Sequence, residues 1–263
     1  MPDRARSAGD TLAALRQFLR DPQRGAALRF ILRKAGSSTP FQRLSLVQRH
    51  YCISARLISP HTTEEMLTFM GAILALDAGC AGCVVEAGSY KGSSAAKFSL
   101  AARIAGRELV ICDSFQGLPP SLEDHGMSIE NRPVFFHEGE FAGSLEEVKA
   151  NIARYGAAEV CRYVVGWYDE TLAGWCEPIA AIYMDVDLAA STRAVLRHLY
   201  PWLSEEGALY SQDGHLPLVL QVFEDAGFWR EIAAAPPPRV EGAWKKKLIK
   251  VVKPAGPRGG VRA

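Results

Sequence analysis

This sequence lacks the long apolar run that a membrane-spanning helix requires. Its longest apolar stretch, residues 66–76, ends at Asp77 and falls short of the ~20 residues needed to cross a bilayer. The first ten residues, MPDRARSAGD, carry charges where a secretory signal would place its apolar core. We therefore expect a cytoplasmic protein with no membrane partner.

The sequence also lacks the paired cysteine motifs of a structural zinc site. Six cysteines are present, and Cys80 and Cys83 form a CxxC, but no second CxxC or HxxxH pair accompanies it. We expect free thiols in a reducing compartment. A composition with 48% hydrophobic and 22% charged residues excludes a collagen-like, coiled-coil or disordered chain.

Acidic side chains are scarce at the N-terminal end. Residues 1–56 carry eleven Arg or Lys against three Asp, whereas the whole chain has a net charge of +1, so the remainder is acidic. The arginines recur within apolar helical patterns, and no aromatic residues are interleaved as single-strand nucleic-acid binding would require. We predict no nucleic-acid partner and interpret residues 1–58 as a helical extension that docks on the acidic remainder. The apolar helices at residues 11–34 could pair in a homo-oligomer.

From residue 59 onward, short apolar runs alternate with stretches of helical periodicity. Runs typical of buried strands occupy residues 83–87, 108–113, 161–166, 180–186, 207–212 and 247–253. Strands this apolar, alternating with helices, indicate an α/β fold with a doubly wound, mostly parallel, Rossmann-like sheet. We assign this domain to residues 59–255 and a flexible tail to residues 256–263. In such a sheet the ligand lies at the carboxyl ends of the strands.

The first strand leads into a glycine turn that favours a zwitterionic ligand. Its residues are Glu86, Ala87, Gly88, Ser89, Tyr90, Lys91, Gly92 and Ser93. The two glycines permit a sharp turn and close approach of a ligand, but Tyr90 breaks the GxGxxG pattern and no P-loop lysine follows. Glu86 would repel a pyrophosphate and pair with an ammonium group. The turn therefore suits the methionine part of S-adenosylmethionine better than NAD.

The second strand ends at Asp113, about 25 residues past the glycine turn. Doubly wound nucleoside-binding proteins place an acid here, because a carboxylate accepts hydrogen bonds from both ribose hydroxyls. Asp113 also opens the turn DSFQGLP, residues 113–119, and it can cap this turn at the same time.

Several segments, taken in order, resemble one family. They are EAGSYKG at 86–92, DSFQGLP at 113–119, SLEEVKANIARYG at 144–156, GWYDETL at 166–172 and MDVDLAAST at 184–192. Together, over about residues 80–215, they resemble the macrocin O-methyltransferase (TylF-like) family, which methylates sugar hydroxyls of macrolide and aminocoumarin antibiotics. The resemblance implies a class I methyltransferase fold and S-adenosylmethionine as cofactor.

The resemblance also implies where the cofactor lies. It places Glu86 and Gly88 near the methionyl group, Asp113 on the ribose, and Gly166 and Trp167 on the adenine side. We include the remaining residues of the two turns in this cofactor-binding set: Ser89, Tyr90, Lys91, Gly92, Ser93, Ser114 and Phe115.

Acidic residues end the fourth and fifth strands. The fourth ends in Asp185-Val186-Asp187 and the fifth in Gln212-Asp213-Gly214-His215. The ends of adjacent parallel strands converge, and oxygen ligands suit Mg²⁺. The resemblance implies Asp185 as metal ligand and base, with two acids at the fifth strand. Gln212 stands at the first of those positions, so the predicted metal set is Asp185, Gln212 and Asp213.

Two catalytic alternatives stay open. Either Asp185, with bound Mg²⁺, activates the acceptor hydroxyl, or His215 acts as general base without a metal. Ala189 stands where the family usually carries Tyr, which leaves the substrate class open. Residues 121–139, rich in acids and without a strong period, are predicted to form a lid over the acceptor site, which the N-terminal extension helps to shape.

The sequence thus predicts an S-adenosylmethionine-dependent O-methyltransferase that acts on a small-molecule acceptor, a hydroxyl of a sugar or other secondary metabolite. One alternative is an NAD-dependent oxidoreductase, which the missing third glycine and Glu86 disfavour. Another is a non-catalytic methyltransferase-like scaffold that docks through its basic N-terminal region, with Gln212 marking a decayed site.

Overall fold

The structure is a computed structural model that describes residues 8–77 and 79–255. The predicted tail, residues 256–263, and the first seven residues of the N-terminal extension lie outside the described residues. The chain forms two compact units, the first made of residues 8–77, 89–109 and 141–162 and the second of residues 79–88, 110–140 and 163–255. The domain boundaries at residues 58 and 255 stay a prediction.

The first unit is helical. Its helices are α1 (Ala8–Arg20), α2 (Arg24–Leu32), α3 (Pro40–Ser54), α4 (Thr63–Ala75), α5 (Ser93–Ala105) and α6 (Leu145–Tyr155), followed by a 3-10 turn at Ala158–Val160. Capping boxes begin α3 at Thr39 and α4 at Thr62. Each threonine side chain accepts the backbone N–H of the residue three positions on, whose own side chain accepts the backbone N–H of the threonine. Buried aromatic rings, such as Phe69 against Phe98 at 4.8 Å between centroids, fill the interior.

The basic residues of the N-terminal region have partners within this unit. The buried Arg43 donates to the carbonyl oxygens of Ile31 and Ser38, and Arg49 donates to that of Tyr155. Arg56 pairs with Asp10 at 3.1 Å. Part of the positive charge is therefore used to hold helices together, and docking of this region on the acidic remainder stays a prediction.

In the described part of the chain, seven strands form one sheet, and most of their residues lie in the second unit. They are β1 (Cys83–Ala87), β2 (Leu109–Asp113), β3 (Cys161–Val165), β4 (Ile179–Met184), β5 (Leu203–Ser211), β6 (Val240–Glu241) and β7 (Ile249–Val252), in the spatial order β3-β2-β1-β4-β5-β7-β6. The pairs β1–β4 and β4–β5 are parallel, whereas β7 runs antiparallel to β5 and β6. The predicted mostly parallel α/β sheet is confirmed. The two-residue β6 is too short to give a sequence pattern.

The second unit also contains the helices α7 (Tyr168–Thr171), α8 (Ala189–Leu199), α9 (Pro217–Glu224) and α10 (Ala226–Ala233), with a 3-10 turn at Tyr200–Trp202. The last two of these, α9 and α10, are separate helices. Asp225 divides them, because its side chain accepts the N–H groups of Gly227 and Phe228 and caps α10. Across residues 8–77 and 79–255, no helix is both long enough and apolar enough to span a bilayer.

Candidate functional site

The chain turns sharply at Gly88, directly after β1. The Gly88 N–H donates to the carbonyl oxygen of Cys112 at 3.0 Å, and the Asp185 N–H donates to that of Ala87 at 2.9 Å. Gly88 has φ 86°, and a Cβ at this position would overlap the carbonyl oxygen of Asp185. Only glycine therefore fits where the ends of β1, β2 and β4 meet. Glu86, on β1, is fully buried.

Residues 89–93 continue this turn within the first unit and lead into α5. The Gly92 N–H donates to the carbonyl oxygen of Ser89 at 2.8 Å, and α6 supports the turn because the Asn151 amide donates to the carbonyl oxygen of Lys91 at 2.9 Å. Tyr90 has φ 47°. The buried Ser93 hydroxyl has no hydrogen-bond partner among the described residues, so a polar ligand group would satisfy it.

Asp113 closes β2 and organises the turn that follows. One of its carboxylate oxygens accepts the N–H of Phe115 at 2.7 Å, and the Ser114 hydroxyl donates to the carbonyl oxygen of Gly117 at 3.1 Å. The predicted turn-capping role of Asp113 is confirmed. Its role toward a ribose stays a prediction.

Gly166 and Trp167 lie next to Asp113 in the second unit. The Gly166 N–H donates to the carbonyl oxygen of Asp113 at 3.0 Å, and that of Trp167 accepts the Thr171 hydroxyl at 3.0 Å. The adjacent Tyr168 was not singled out from the sequence. Burial, and then the charge of Asp113, raise the pKa of Tyr168 well above its usual range, so this phenol stays a hydrogen-bond donor at neutral pH.

Three aspartates meet at the carboxyl ends of β4 and β5. Asp185, Asp187 and Asp213 each offer one carboxylate oxygen, and these three oxygens lie within 4.8 Å of one another. One oxygen of Asp213 accepts the N–H groups of Val186 at 2.9 Å and Asp187 at 3.2 Å. The other is buried and has no hydrogen-bond partner in the described part of the chain.

Proximity and burial change the acidity of this cluster. Burial, followed by the charge of Asp185, raises the pKa of Asp187 to about 8, although Lys247 opposes the shift. Burial and the charges of Asp185 and Asp187 also raise the pKa of Asp213 well above its usual range. Three carboxylates this close cannot all ionise without a counter-charge. The cluster therefore fits either retained protons or a hard divalent cation such as Mg²⁺, which prefers oxygen donors.

Gln212, the residue before Asp213, belongs to the predicted metal set, but its side chain bonds to a residue outside the aspartate cluster. Its amide oxygen accepts the Tyr183 hydroxyl at 3.1 Å, and its amide nitrogen is buried without a partner among the described residues. Asp187 was missing from that set, although it is the third acid of the cluster. Its signal was a second acid two positions after Asp185, directly past the end of β4.

His215, the alternative base, follows the same strand. Burial, and then the charge of Lys247, lower the pKa of His215 below its usual value, so the ring is neutral at pH 7. The carbonyl oxygen of His215 accepts the N–H of Ile129 at 2.9 Å. A residue of the predicted lid therefore contacts the turn that follows β5. Glu123, also in this segment, was not singled out from the sequence; its carboxylate accepts the N–H groups of the first two residues of α8.

A mostly parallel sheet with a glycine turn after its first strand, and acids at the ends of the strands beside it, defines a class I methyltransferase-type α/β protein. This chain belongs to the macrocin O-methyltransferase (TylF) family, whose model matches residues 66–226. The predicted family is therefore confirmed.

Named relatives agree with this assignment. The chain is 35% identical over 141 residues, 51% of this chain and 54% of that protein, to 8-demethyl-8-(2,3-dimethoxy-alpha-L-rhamnosyl)-tetracenomycin-C 4'-O-methyltransferase of Streptomyces olivaceus. It is 31% identical over 137 residues, 50% of this chain and 52% of that protein, to demethyldecarbamoylnovobiocin O-methyltransferase of Streptomyces niveus. The chain thus spans about half the length of the curated relatives that it matches.

Among solved structures, that of the O-methyltransferase NovP is similar with a TM-score of 0.64. The superposition covers 94% of this chain and 100% of that chain at 20% sequence identity, which shows a shared fold.

Proposed function

We propose that this protein is an S-adenosylmethionine-dependent O-methyltransferase that acts on a sugar hydroxyl of a natural product. The observation that carries the proposal is the aspartate cluster, which lies in the same unit as Gly88 and Asp113. Family membership and the rhamnosyl substrate in the name of one relative support a sugar acceptor. We place the protein in the cytoplasm, where the thiols of cysteines such as Cys83 and Cys112 stay reduced.

The cofactor would bind at the carboxyl ends of β1 and β2. Asp113 would accept the ribose hydroxyls, and the buried Glu86 would pair with the methionyl ammonium group. Gly88 leaves room for the cofactor to approach the backbone, and Gly166 and Trp167, next to Asp113, suit the adenine side. We extend the cofactor-binding set to Ser114 and Phe115, which form the turn after Asp113, and to Ser89, Tyr90, Lys91, Gly92 and Ser93, which continue the glycine turn.

Asp187 is the base that we favour over Asp185. A sugar hydroxyl must lose a proton as its oxygen attacks the methyl group and the sulfonium sulfur leaves with the bond electrons. In the cation-free cluster the pKa of Asp187 is raised to about 8, so its ionised form is a stronger base than an ordinary aspartate, and a bound cation would keep it ionised at neutral pH. Asp185 and Asp213 would hold a divalent cation. When bound, this cation would neutralise the cluster and acidify the hydroxyl.

His215 is the second candidate base, because its neutral ring can accept a proton at pH 7. The two candidate bases predict different effects of mutation on turnover. If Asp187 is the base, Asp187→Asn abolishes turnover and His215→Asn retains it. If His215 is the base, the outcomes are reversed and turnover persists without Mg²⁺.

A methyl-transfer assay tests the proposed function. The wild-type protein, S-adenosylmethionine and Mg²⁺ are incubated with a panel of rhamnosyl glycosides, and mass spectrometry localises any methyl group added. We expect transfer to a sugar oxygen, and loss of transfer in Asp187→Asn but not in the exposed Glu138→Gln. Binding of a nicotinamide cofactor in place of S-adenosylmethionine would favour the oxidoreductase. Biological activity unchanged by Asp185→Asn would favour the non-catalytic scaffold.

A further inference from the structure

Helix α8 begins two residues after Asp187, and its own N-cap residue cannot cap it. That residue, Leu188, has no side-chain acceptor. Glu123 supplies the missing cap from far away in the sequence: one carboxylate oxygen accepts the Ala189 N–H at 2.8 Å and the other accepts the Ala190 N–H at 2.8 Å. A carboxylate is the most favourable acceptor here, because the N-terminus of a helix carries partial positive charge.

The turn before α8 is held from its other end by Asp213. As described above, Asp213 accepts the N–H groups of Val186 and Asp187, and the Leu188 N–H donates to the carbonyl oxygen of Val186 at 2.6 Å. Every backbone N–H from residue 186 to residue 190 is therefore bound, four of the five by two carboxylates. Asp187 has φ 59°, in the left-handed region that non-glycine residues seldom adopt. Such a conformation persists only where its surroundings enforce it.

Glu123 is itself firmly seated. The Nε2 atom of His125 lies 3.1 Å from the Glu123 carboxylate, and the His125 side chain is 1% exposed. The His125 ring packs edge-on against Phe136 at 5.0 Å between centroids. Although burial opposes the shift, hydrogen bonds from His125, Ala190 and Ala189 lower the pKa of Glu123. Glu123 is thus a charged acceptor at neutral pH.

A second residue of segment 121–139 also bonds within the second unit. Ile129 bonds to His215 after β5, as noted above. Two backbone hydrogen bonds join the two ends of the segment. The Leu118 N–H donates to the carbonyl oxygen of Glu140, and the Gly139 N–H donates to that of Leu118, both at 2.9 Å. The segment therefore contacts the residues that follow both β4 and β5, the two strands that carry the aspartate cluster.

We propose that Glu123 is a positioning residue that ties segment 121–139 to turn 186–190, so that Asp187 keeps its reactive position only while this segment is seated. The inference rests on the proposed function, and it gives the segment a role beyond covering an acceptor. The contact between the segment and turn 186–190 therefore also aligns Asp187, the proposed base.

Glu123→Ala removes both hydrogen bonds to α8, whereas Glu123→Gln keeps one carbonyl acceptor and loses the charge. The matched control is Glu138→Gln, an exposed glutamate of the same segment. Hydrogen–deuterium exchange of the amides at residues 186–190 reports the turn directly. Steady-state kinetics with the glycoside found in the methyl-transfer assay report kcat, the KM for S-adenosylmethionine and the KM for that acceptor. Calorimetry with S-adenosylhomocysteine reports cofactor binding.

For Glu123→Ala we expect exchange at Ala189 and Ala190 to rise at least ~10-fold and kcat to fall by roughly 10- to 100-fold, because a small misplacement of a reacting group has an effect of this size. Binding of S-adenosylhomocysteine should stay within about 2-fold of wild type, Glu123→Gln should be intermediate, and Glu138→Gln should match wild type. A kcat loss that leaves cofactor affinity intact distinguishes positioning from general destabilisation.

Wild-type kcat in Glu123→Ala, or unchanged exchange at residues 186–190, would overturn the proposal. So would a loss of cofactor binding as large as the loss of kcat. If Glu123→Ala does not fold, the same criteria apply to Glu123→Gln. If wild type methylates no acceptor, the proposed function fails, and the exchange measurement alone decides whether Glu123 holds the turn.

Discussion

Replacement of Asp187 by Asn should stabilise the cation-free protein at high pH while it abolishes methyl transfer. Asn is close in size to Asp and tolerates the left-handed backbone that position 187 requires, with φ 59°. The substitution therefore removes a charge from the aspartate cluster and leaves its packing intact.

The size of the effect follows from the pKa of Asp187, which burial and then Asp185 raise from 3.8 to about 8. Between these values the folded protein keeps a proton that the unfolded chain has released, so wild-type stability falls as pH rises through this window. At about 1.4 kcal/mol per pKa unit, the loss between pH 5 and pH 8 is on the order of 3 kcal/mol. In Asp187→Asn this part of the pH dependence is absent.

Thermal melts of wild type and Asp187→Asn in EDTA, at pH 5 and pH 8, measure the effect. We expect the melting temperature of the mutant, relative to that of wild type, to be roughly 6–10 °C higher at pH 8 than at pH 5. Mg²⁺ should reduce this difference, because it stabilises wild type more than the mutant. The control is Asp169→Asn, whose side chain is 70% exposed. A difference in melting temperature between wild type and Asp187→Asn that is the same at both pH values would refute the proposed burial and repulsion.

Two further predictions concern other buried polar groups. Burial, and then the charge of Lys97, lower the pKa of His50 well below 6.5, so the unfolded chain gains a proton that the folded protein refuses, and stability should fall below pH 6.5 by up to ~1.4 kcal/mol per pH unit. The free energy of unfolding in urea, measured at pH 7.5 and 5.5, should depend less on pH in His50→Gln than in wild type or in the exposed His137→Gln. An equal pH dependence in all three proteins would contradict the lowered pKa of His50. Gln212→Asp should increase the affinity for Mg²⁺ about 10-fold, because it adds a carboxylate beside the cluster, and should lower stability in EDTA; calorimetry that shows no gain in affinity would exclude position 212 from cation binding.

The fold was accessible from the sequence because its central strands, β1, β2 and β4, consist mostly of buried apolar residues. β1 is buried at every position, including Glu86, so the parallel sheet has a strong local pattern, and the glycine turn and Asp113 mark its ligand-binding edge. The family signatures at DSFQGLP and MDVDLAAST add to this pattern, and the family assignment is confirmed.

The arrangement of the carboxylates was less accessible, because it depends on contacts between segments distant in sequence. Asp187 differs from Asp185 in its left-handed backbone, and the Asp187 N–H is bound by Asp213, which follows another strand. Glu123 lies in a segment without periodicity, and its partners in α8 are 66 and 67 positions away. Such long-range hydrogen bonds leave no periodic signal in a single sequence.

Binding of S-adenosylmethionine at the ends of β1 and β2 is the claim on which the rest depends. A calorimetric titration of wild type, Asp113→Ala and Glu138→Gln with S-adenosylhomocysteine tests it most directly. We predict one site per chain in wild type and Glu138→Gln, with affinity at least ~10-fold weaker in Asp113→Ala because the ribose loses its carboxylate acceptor. An absence of binding to wild type, or equal affinity in Asp113→Ala, would contradict it.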